Sequence, residues 1–360
     1  MSKIIAVVGA RPNFMKMSPV IKSLIPLGLK PIIVHTGQHY DEKMSQEILS
    51  DLEFEKPNYF LKAGGGTGTQ QTSRIMKRFE KICKIENPIL VIVAGDVNST
   101  LACALVAVKM RIKIAHIESG LRSFDMEMPE EINRILTDRI SDFLFTTEKN
   151  AGLNLQNEGI DMKKVYFVGN CMIDSLVRFI SPAKKLRYWQ YLGYKGNDYI
   201  LATVHRPSNV DTKIALMRVV SLLNRVSKKI PILFPIHPRT KSNLEKFSID
   251  LNDSVRLLEP LSYLKFLSLM SKARMILTDS GGIQEETTAL GVPCITMRKN
   301  TERPITTEIG TNILAGTNND EIIKIIQRFL NGDVPIGNIP PLWDGKASIR
   351  TAEILKNELE

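Results

Sequence analysis

Ile89-Leu90-Val91-Ile92-Val93-Ala94-Gly95-Asp96-Val97-Asn98-Ser99-Thr100 is the stretch on which the fold turns. Ile89–Ala94 is a continuous apolar run with no polar alternation. Such a run suits a strand buried on both faces, as in a parallel sheet covered by helices. Gly95-Asp96 supplies a turn, and Ser99–Lys109 carries a helical pattern. The same plan recurs on either side. Ile4–Val8, Pro31–His35, Ile114–Ile117, Phe143–Thr146 and Val165–Val168 are further short Ile/Val-rich or aromatic runs. Helical patterns lie between them at Ser18–Leu27 and Gln71–Lys84. Strands alternating with helices predict a doubly wound α/β sheet.

The pattern pauses over Ser181–Asn197, a polar and aromatic stretch, and then resumes. A second series follows at Tyr199–Val204, Ile232–Ile236, Val255–Leu258, Met275–Thr278, Cys294–Met297 and Thr311–Leu314. A length of 360 residues also favours two domains. The reading is therefore a first domain over 1–180 and a second over 198–345, each Rossmann-like. The amphipathic helix Ser348–Leu359, within 346–360, is expected to pack back on the first domain.

Composition narrows the function classes. The apolar fraction is 43% and the charged fraction 24%, both ordinary for a globular protein, so disordered and fibrous classes drop out. No apolar run approaches the roughly 20 residues of a membrane span. Ile4–Gly9 reads as a first buried strand, because it is too short for a secretion leader. Cys83, Cys103, Cys171 and Cys294 are widely spaced, which fits reduced core cysteines, a cytoplasmic setting and no metal site. The formal charge of +10 admits two partners, a nucleic acid or a phosphorylated small molecule. Aromatics at 6% and the lack of a basic tail favour the small molecule, with no nucleic-acid or membrane partner.

In open α/β sheets, ligands bind beyond the carboxyl ends of the strands. Polar residues crowd there: Gly9-Ala10-Arg11-Pro12-Asn13 with Lys16, His35-Thr36-Gly37-Gln38-His39, Gly95-Asp96, Glu118-Ser119-Gly120 with Arg122, His205-Arg206, His237-Pro238-Arg239 and Asp279-Ser280-Gly281-Gly282. All five histidines fall at or near such ends, which predicts one shared cleft. Ser280, Gly281 and Gly282 open a helix whose free N–H groups attract phosphate, or else form an ordinary N-cap. Glu286, one turn on, is placed to accept from a ribose diol. No G-x-G-x-x-G and no P-loop is present, so no NAD or other cofactor is expected. The acidic set is Asp96, Glu118, Glu130 and Glu131; the last two follow Pro129 and also read as a plain helix start.

Taken together, these motifs resemble the non-hydrolysing UDP-N-acetylglucosamine 2-epimerase family. The resemblance rests on Gly9-Ala10-Arg11-Pro12, Thr36-Gly37-Gln38-His39, Gly95-Asp96 with Ser99-Thr100, and His116-Ile117-Glu118-Ser119-Gly120-Leu121-Arg122. It continues through Pro129-Glu130-Glu131-Ile132-Asn133-Arg134, Thr203-Val204-His205-Arg206, Thr278 to Glu286, and Thr301-Glu302-Arg303-Pro304. It implies a glycosyltransferase-B-like pair of Rossmann-like domains facing across a cleft, a homodimer, and interconversion of UDP-GlcNAc and UDP-ManNAc. It places UDP on Arg11, Lys16, His205, Phe266, Ser280, Gly281, Gly282, Glu286 and Arg303. It makes Asp96, Glu118 and Glu130 the catalytic acids, with His205 counted beside them. Gln38, His39 and His237 look like an allosteric UDP-GlcNAc site. Where relatives often carry Arg and Glu after the His-Arg pair, this chain has Pro207 and Ser208.

The chemistry asks for such a set. C2 of the sugar has no carbonyl beside it, so its proton leaves either after oxidation, which needs NAD, or as UDP departs from C1. The second route passes through a 2-acetamidoglucal. It needs cations and helix dipoles for UDP, carboxylates as base and acid, and a dry cleft. A retaining glycosyltransferase of the same architecture and a hydrolysing epimerase are the enzymatic rivals. A salt-sensitive nucleic-acid binder is the non-enzymatic one.

Overall fold

The computed structural model describes residues 3–38, 51 and 54–360, with Arg11 described by its backbone alone. The chain divides into two compact units, 3–178 with 341–360, and 179–340.

The described part of the first unit holds a parallel sheet of β1 (Ile4–Val8), β2 (Ile32–His35), β3 (Tyr59–Phe60), β4 (Leu90–Ala94), β5 (Lys113–Ser119), β6 (Phe143–Thr146) and β7 (Val165–Phe167). The strand order is β3-β2-β1-β4-β5-β6-β7. Every residue of β1 and of β4 is buried, as the unbroken apolar runs require. The helices are α1 (Arg11–Leu24), α2 (Gly68–Glu86), α3 (Asn98–Lys109), α4 (Pro129–Ile140), α5 (Lys149–Asn157) and α6 (Cys171–Leu186). Ile75, Phe79 and Cys83 of α2 and Ala102, Cys103 and Val106 of α3 pack with Ile5, Val7, Val91 and Val93 of the sheet. Apolar side chains at these helical spacings form the stripe that seals one face of the sheet.

Two details depart from the sequence reading. The first helix begins at Arg11, seven residues before the predicted Ser18. Ala10 is its extended N-cap, Pro12 tolerates the first turn, and Asn13 accepts the loose N–H groups of Gly9 and Ala10. The strand Tyr59–Phe60 was not predicted, because two residues beside Pro57 and Asn58 carry no strand pattern.

The second unit holds β8 (Ile200–Thr203), β9 (Ile232–Pro235), β10 (Val255–Leu258), β11 (Met275–Thr278), β12 (Cys294–Thr296) and β13 (Asn312–Leu314). They too are parallel, in the order β10-β9-β8-β11-β12-β13. Its main helices are α7 (Lys213–Val226), α8 (Pro238–Phe247), α9 (Tyr263–Met270), α10 (Gly281–Leu290) and α11 (Asn319–Leu330). Val219 and Leu223 of α7 and Ile322, Ile326 and Phe329 of α11 close over Phe234 and Leu277.

After Pro340 the chain rejoins the first unit as α12 (Ala347–Leu359), which packs on α1. The buried Asp174 carboxylate accepts from Ala347 N at 3.1 Å and Ser348 N at 2.6 Å, capping α12 across the chain. The four cysteines are unpaired and buried. No helix among the described residues is long and apolar enough to cross a membrane.

Candidate active site

Each sheet reverses its strand order once, between β1 and β4 in the first unit and between β8 and β11 in the second. Such a reversal splays two loops apart and opens a crevice at the strand ends.

In the first unit, Asn13 spans the reversal. Its Oδ1 accepts from Ala10 N at 2.9 Å, and its Nδ2 donates to Ala94 O at 2.8 Å. Gly9 has no room for a side chain, since a Cβ there would stand 2.3 Å from Ser99 Oγ and 2.5 Å from Thr36 Oγ1. The carboxylates come next. Glu118 is the penultimate residue of β5, at a register shift against β6, with φ of +69°. A non-glycine residue in the left-handed region costs of the order of 1 kcal/mol, and such strain gathers where a side chain must be re-aimed. Glu118 pairs with Lys16 of α1 at 2.5 Å, with both side chains at most 5% exposed.

Asp96 lies in the turn after β4 and pairs with Arg134 Nη2 of α4 at 2.5 Å. Arg134 Nη1 meets Glu131 Oε2, also at 2.5 Å. Glu131 is fully buried and accepts from Ser123 N, Ser123 Oγ and Phe124 N as well. Its carboxylate thus pins the 121–124 loop to α4, while the adjacent Glu130 is half-buried. Arg134 and Asn133 were missed as site residues. The signal was a polar stripe, Glu131, Arg134 and Asp138, at helical spacing on a face that must be buried. Asn133 Nδ2 donates to Asp96 O at 2.9 Å and holds that turn.

The second unit builds its crevice differently. Asp279, fully buried after β11, accepts from Arg206 N at 2.9 Å, His205 N at 3.1 Å and Asn209 Nδ2 at 3.0 Å. It ties the two sides of the reversal together and leaves the His205 ring half-exposed, 5.4 Å from the ring of His237. Ser280 caps α10 with its backbone only, since its side chain makes no cap hydrogen bond. The first-turn N–H groups of Gly281 and Gly282 carry the positive end of the helix dipole, with no cap bond from the Ser280 side chain. A Cβ on Gly281 would stand 2.4 Å from Arg303 Nη1.

Arg303 is 5% exposed and packed between Glu302 and Glu285, with Nε 2.9 Å from Glu285 Oε1. Arg298 joins Glu302 at 2.7 Å and Arg206 approaches it at 3.7 Å. Three guanidinium groups thus share two carboxylates at this crevice. Burial makes each such pair costly to break. Glu286 accepts from Tyr263 Oη at 2.9 Å, and Phe266 of α9 is buried on the same helix as Tyr263.

The predicted site residues thus fall into two sets. Asp96, Glu118, Glu130 and Lys16, with the α1 start at Arg11, belong to the first unit; His205, His237, Phe266, Ser280, Gly281, Gly282, Glu286 and Arg303 belong to the second. Gln38 is buried, and its Oε1 accepts from Ser99 N at 2.9 Å and Ser99 Oγ at 2.6 Å. His39 lies outside the described residues.

Two of the histidines, His35 and His116, are buried within the first unit instead of lining a crevice. His116 is enclosed in β5, bonded to Asp138 and Gly95 O. His35 stacks on Phe60 at 4.6 Å and leans on Phe14. Burial there pulls the His35 pKa down to about 4, so the ring is neutral at neutral pH. A parallel strand carries inward-facing residues right up to its carboxyl end, so position along the strand does not decide exposure. Among the described residues, no three His, Cys, Asp or Glu side chains are gathered so as to hold a metal ion.

Comparison with known proteins bears on this arrangement. Residues 27–356 match the family model described as UDP-N-acetylglucosamine 2-epimerase. The UDP-N-acetylglucosamine 2-epimerase of Methanocaldococcus jannaschii is 42% identical over 98% of each chain. A Pseudomonas aeruginosa UDP-2,3-diacetamido-2,3-dideoxy-D-glucuronate 2-epimerase is also 42% identical, over 98% of this chain and 99% of the other. Among solved structures, that of the M. jannaschii UDP-GlcNAc 2-epimerase in complex with UDP-GlcNAc and UDP superposes with a TM-score of 0.91 over 99% of each chain at 42% identity.

Proposed function

This chain belongs to the UDP-N-acetylglucosamine 2-epimerase family, a family of isomerases, and from that premise we propose that it interconverts UDP-GlcNAc and UDP-ManNAc by expelling UDP and adding it back. The observation that carries the reading is the split of charge between the two strand-order reversals. Carboxylates held by cations occupy the first, with Glu118 on Lys16 and Asp96 on Arg134. A helix start that the Ser280 side chain does not cap and buried arginines occupy the second. A UDP-sugar needs both: an anion site for its diphosphate and proton carriers for C2.

In this mechanism the α10 N-terminus, Arg303 and His205 hold the diphosphate and stabilise it as the C1–O bond breaks. A carboxylate among Asp96, Glu118 and Glu130 removes the C2 proton, giving 2-acetamidoglucal and UDP. UDP re-adds at C1 while a proton returns to the opposite face of C2. Glu130 is favoured over Glu131 because the Glu131 carboxylate is taken up by Ser123, Phe124 and Arg134. The reaction is redox-neutral and needs no cofactor.

Proton NMR of the protein with UDP-GlcNAc alone in D2O tests the reading. The expected result is UDP-ManNAc carrying deuterium at C2. Free sugar with UDP would instead show a hydrolase, and an unchanged substrate would sink the proposal. Offering UDP-2,3-diacetamido-2,3-dideoxy-D-glucuronate in parallel separates the substrate of the Pseudomonas relative, which is as similar as the archaeal one. The family resemblance further supports a cytoplasmic homodimer, which sedimentation checks, and activation by UDP-GlcNAc through Gln38, His39 and His237. In His237→Ala, an unchanged dependence on UDP-GlcNAc would reject that activation.

A further inference from the structure

We propose that His116 and Asp138 are positioning residues that hold the three carboxylate-bearing segments of the first unit in register. The inference rests on the reading of Asp96, Glu118 and Glu130 as proton carriers. Asp96 follows Gly95, Glu118 precedes Ser119-Gly120, and Glu130 stands in the first turn of α4.

One buried chain of hydrogen bonds reaches all three segments. His116 Nε2 is 2.8 Å from Gly95 O, and its Nδ1 is 2.7 Å from Asp138 Oδ1. The other Asp138 oxygen accepts from Gly120 N at 3.0 Å and Arg122 Nη1 at 2.7 Å. Asp138 belongs to the last turn of α4, so the helix that carries Glu130 in its first turn is fastened to the turns beside Asp96 and Glu118. Arg122 is itself fixed by a fork on Glu158, at 2.7 Å to each oxygen. Burial alone would raise the Asp138 carboxyl, but His116 and Arg122 hold it below the usual range, so it stays an acceptor on both sides. Both His116 and Asp138 are fully shielded from water, so nothing competes for these bonds.

A histidine that merely filled the core would bond within its own strand neighbourhood. Here one bond ends on the backbone of the turn beside Asp96, and the other on Asp138, which in turn holds Gly120 N beside Glu118. Loss of that fastening lets the acids drift. A displacement of about 1 Å at reacting groups costs on the order of 100-fold in rate.

The test is the kinetics of His116→Gln at saturating UDP-GlcNAc. The expected result is a kcat roughly 30- to 100-fold down, with KM within about threefold and UDP affinity by calorimetry unchanged. Deuterium exchange at C2 falls in step. A folded variant with normal kcat and only a lower melting temperature overturns the proposal, as does a loss carried wholly by KM. Should His116→Gln not fold, Asp138→Asn, which keeps the side-chain shape, carries the same test with the same outcomes. Wild type and Glu118→Gln run alongside. An active wild type with a dead Glu118→Gln and a normal His116→Gln removes the positioning role alone, whereas an inactive wild type removes the proposed function.

Discussion

Both sheets reverse direction of strand order at the same topological place, and a buried polar side chain bridges each reversal, Asn13 in the first unit and Asp279 in the second. The residues around the two bridges differ in kind. Asn13 is neutral and satisfies backbone on both sides, so the charges beside it are independent of the bridge and appear as cation–carboxylate pairs. Asp279 spends its charge on the His205 and Arg206 amides, and the surplus nearby is guanidinium. In the proposed mechanism the same topology therefore serves two chemistries, protons in one unit and anions in the other, and the choice lies in a few loop residues.

The largest expected break of this contrast is Glu118→Gln. Epimerisation should fall by at least about 1,000-fold, roughly 4 kcal/mol of barrier, while the second unit still binds UDP. Initial rates by NMR or coupled assay read it.

Lys16→Met attacks the same pair from the other side. It leaves Glu118 buried beside an apolar group, and a broken buried ion pair costs about 3–5 kcal/mol. Thermal or urea unfolding should show that loss in the first unit. An equal loss from an exposed pair such as Arg225–Asp320 would contradict the distinction between buried and surface pairs.

Acid should also act unevenly. His35 is held neutral with a pKa of about 4, against 6.5 when unfolded. The unfolded chain therefore takes up the proton first. The His35 contribution is whole above pH 6.5 and fades as pH falls toward 4, amounting to about 3 kcal/mol. Urea midpoints between pH 7.5 and pH 4 check the sign, and His35→Phe should flatten that part of the curve.

Gly281→Ala sharpens the other half. The added methyl must displace Arg303, which Glu285 and Glu302 hold in place. UDP affinity should drop roughly 10- to 30-fold, about 1.4–2 kcal/mol, with little change in C2 exchange at saturation.

Much of the framework was legible in the sequence. Ile4–Val8, Ile89–Ala94 and Met275–Thr278 are apolar without alternation because they are covered on both faces, and the structure makes strands of them. The polar turns after them were visible for the same reason, since polarity so close to a buried strand has to be placed at its end. What stayed hidden was which polar group faces inward. Glu130 and Glu131 are neighbours in sequence, yet the helix turns one into the protein and leaves the other half-exposed, and this depends on the 121–124 loop. His116, near a predicted strand end like the other histidines, turns inward and is bonded to Asp138 and to Gly95 O, and Gln38 reaches Ser99. Those partners are distant in the chain, and no local pattern announces them.

UDP titration calorimetry on the folded Glu118→Gln variant, once it has been shown not to exchange the C2 proton, tests the division of labour most directly. The account expects a UDP dissociation constant within about threefold of wild type, because that difference is under about 0.7 kcal/mol. A variant that loses UDP binding along with proton exchange would place the diphosphate and the proton chemistry on the same residues, and the two-chemistry account would be wrong.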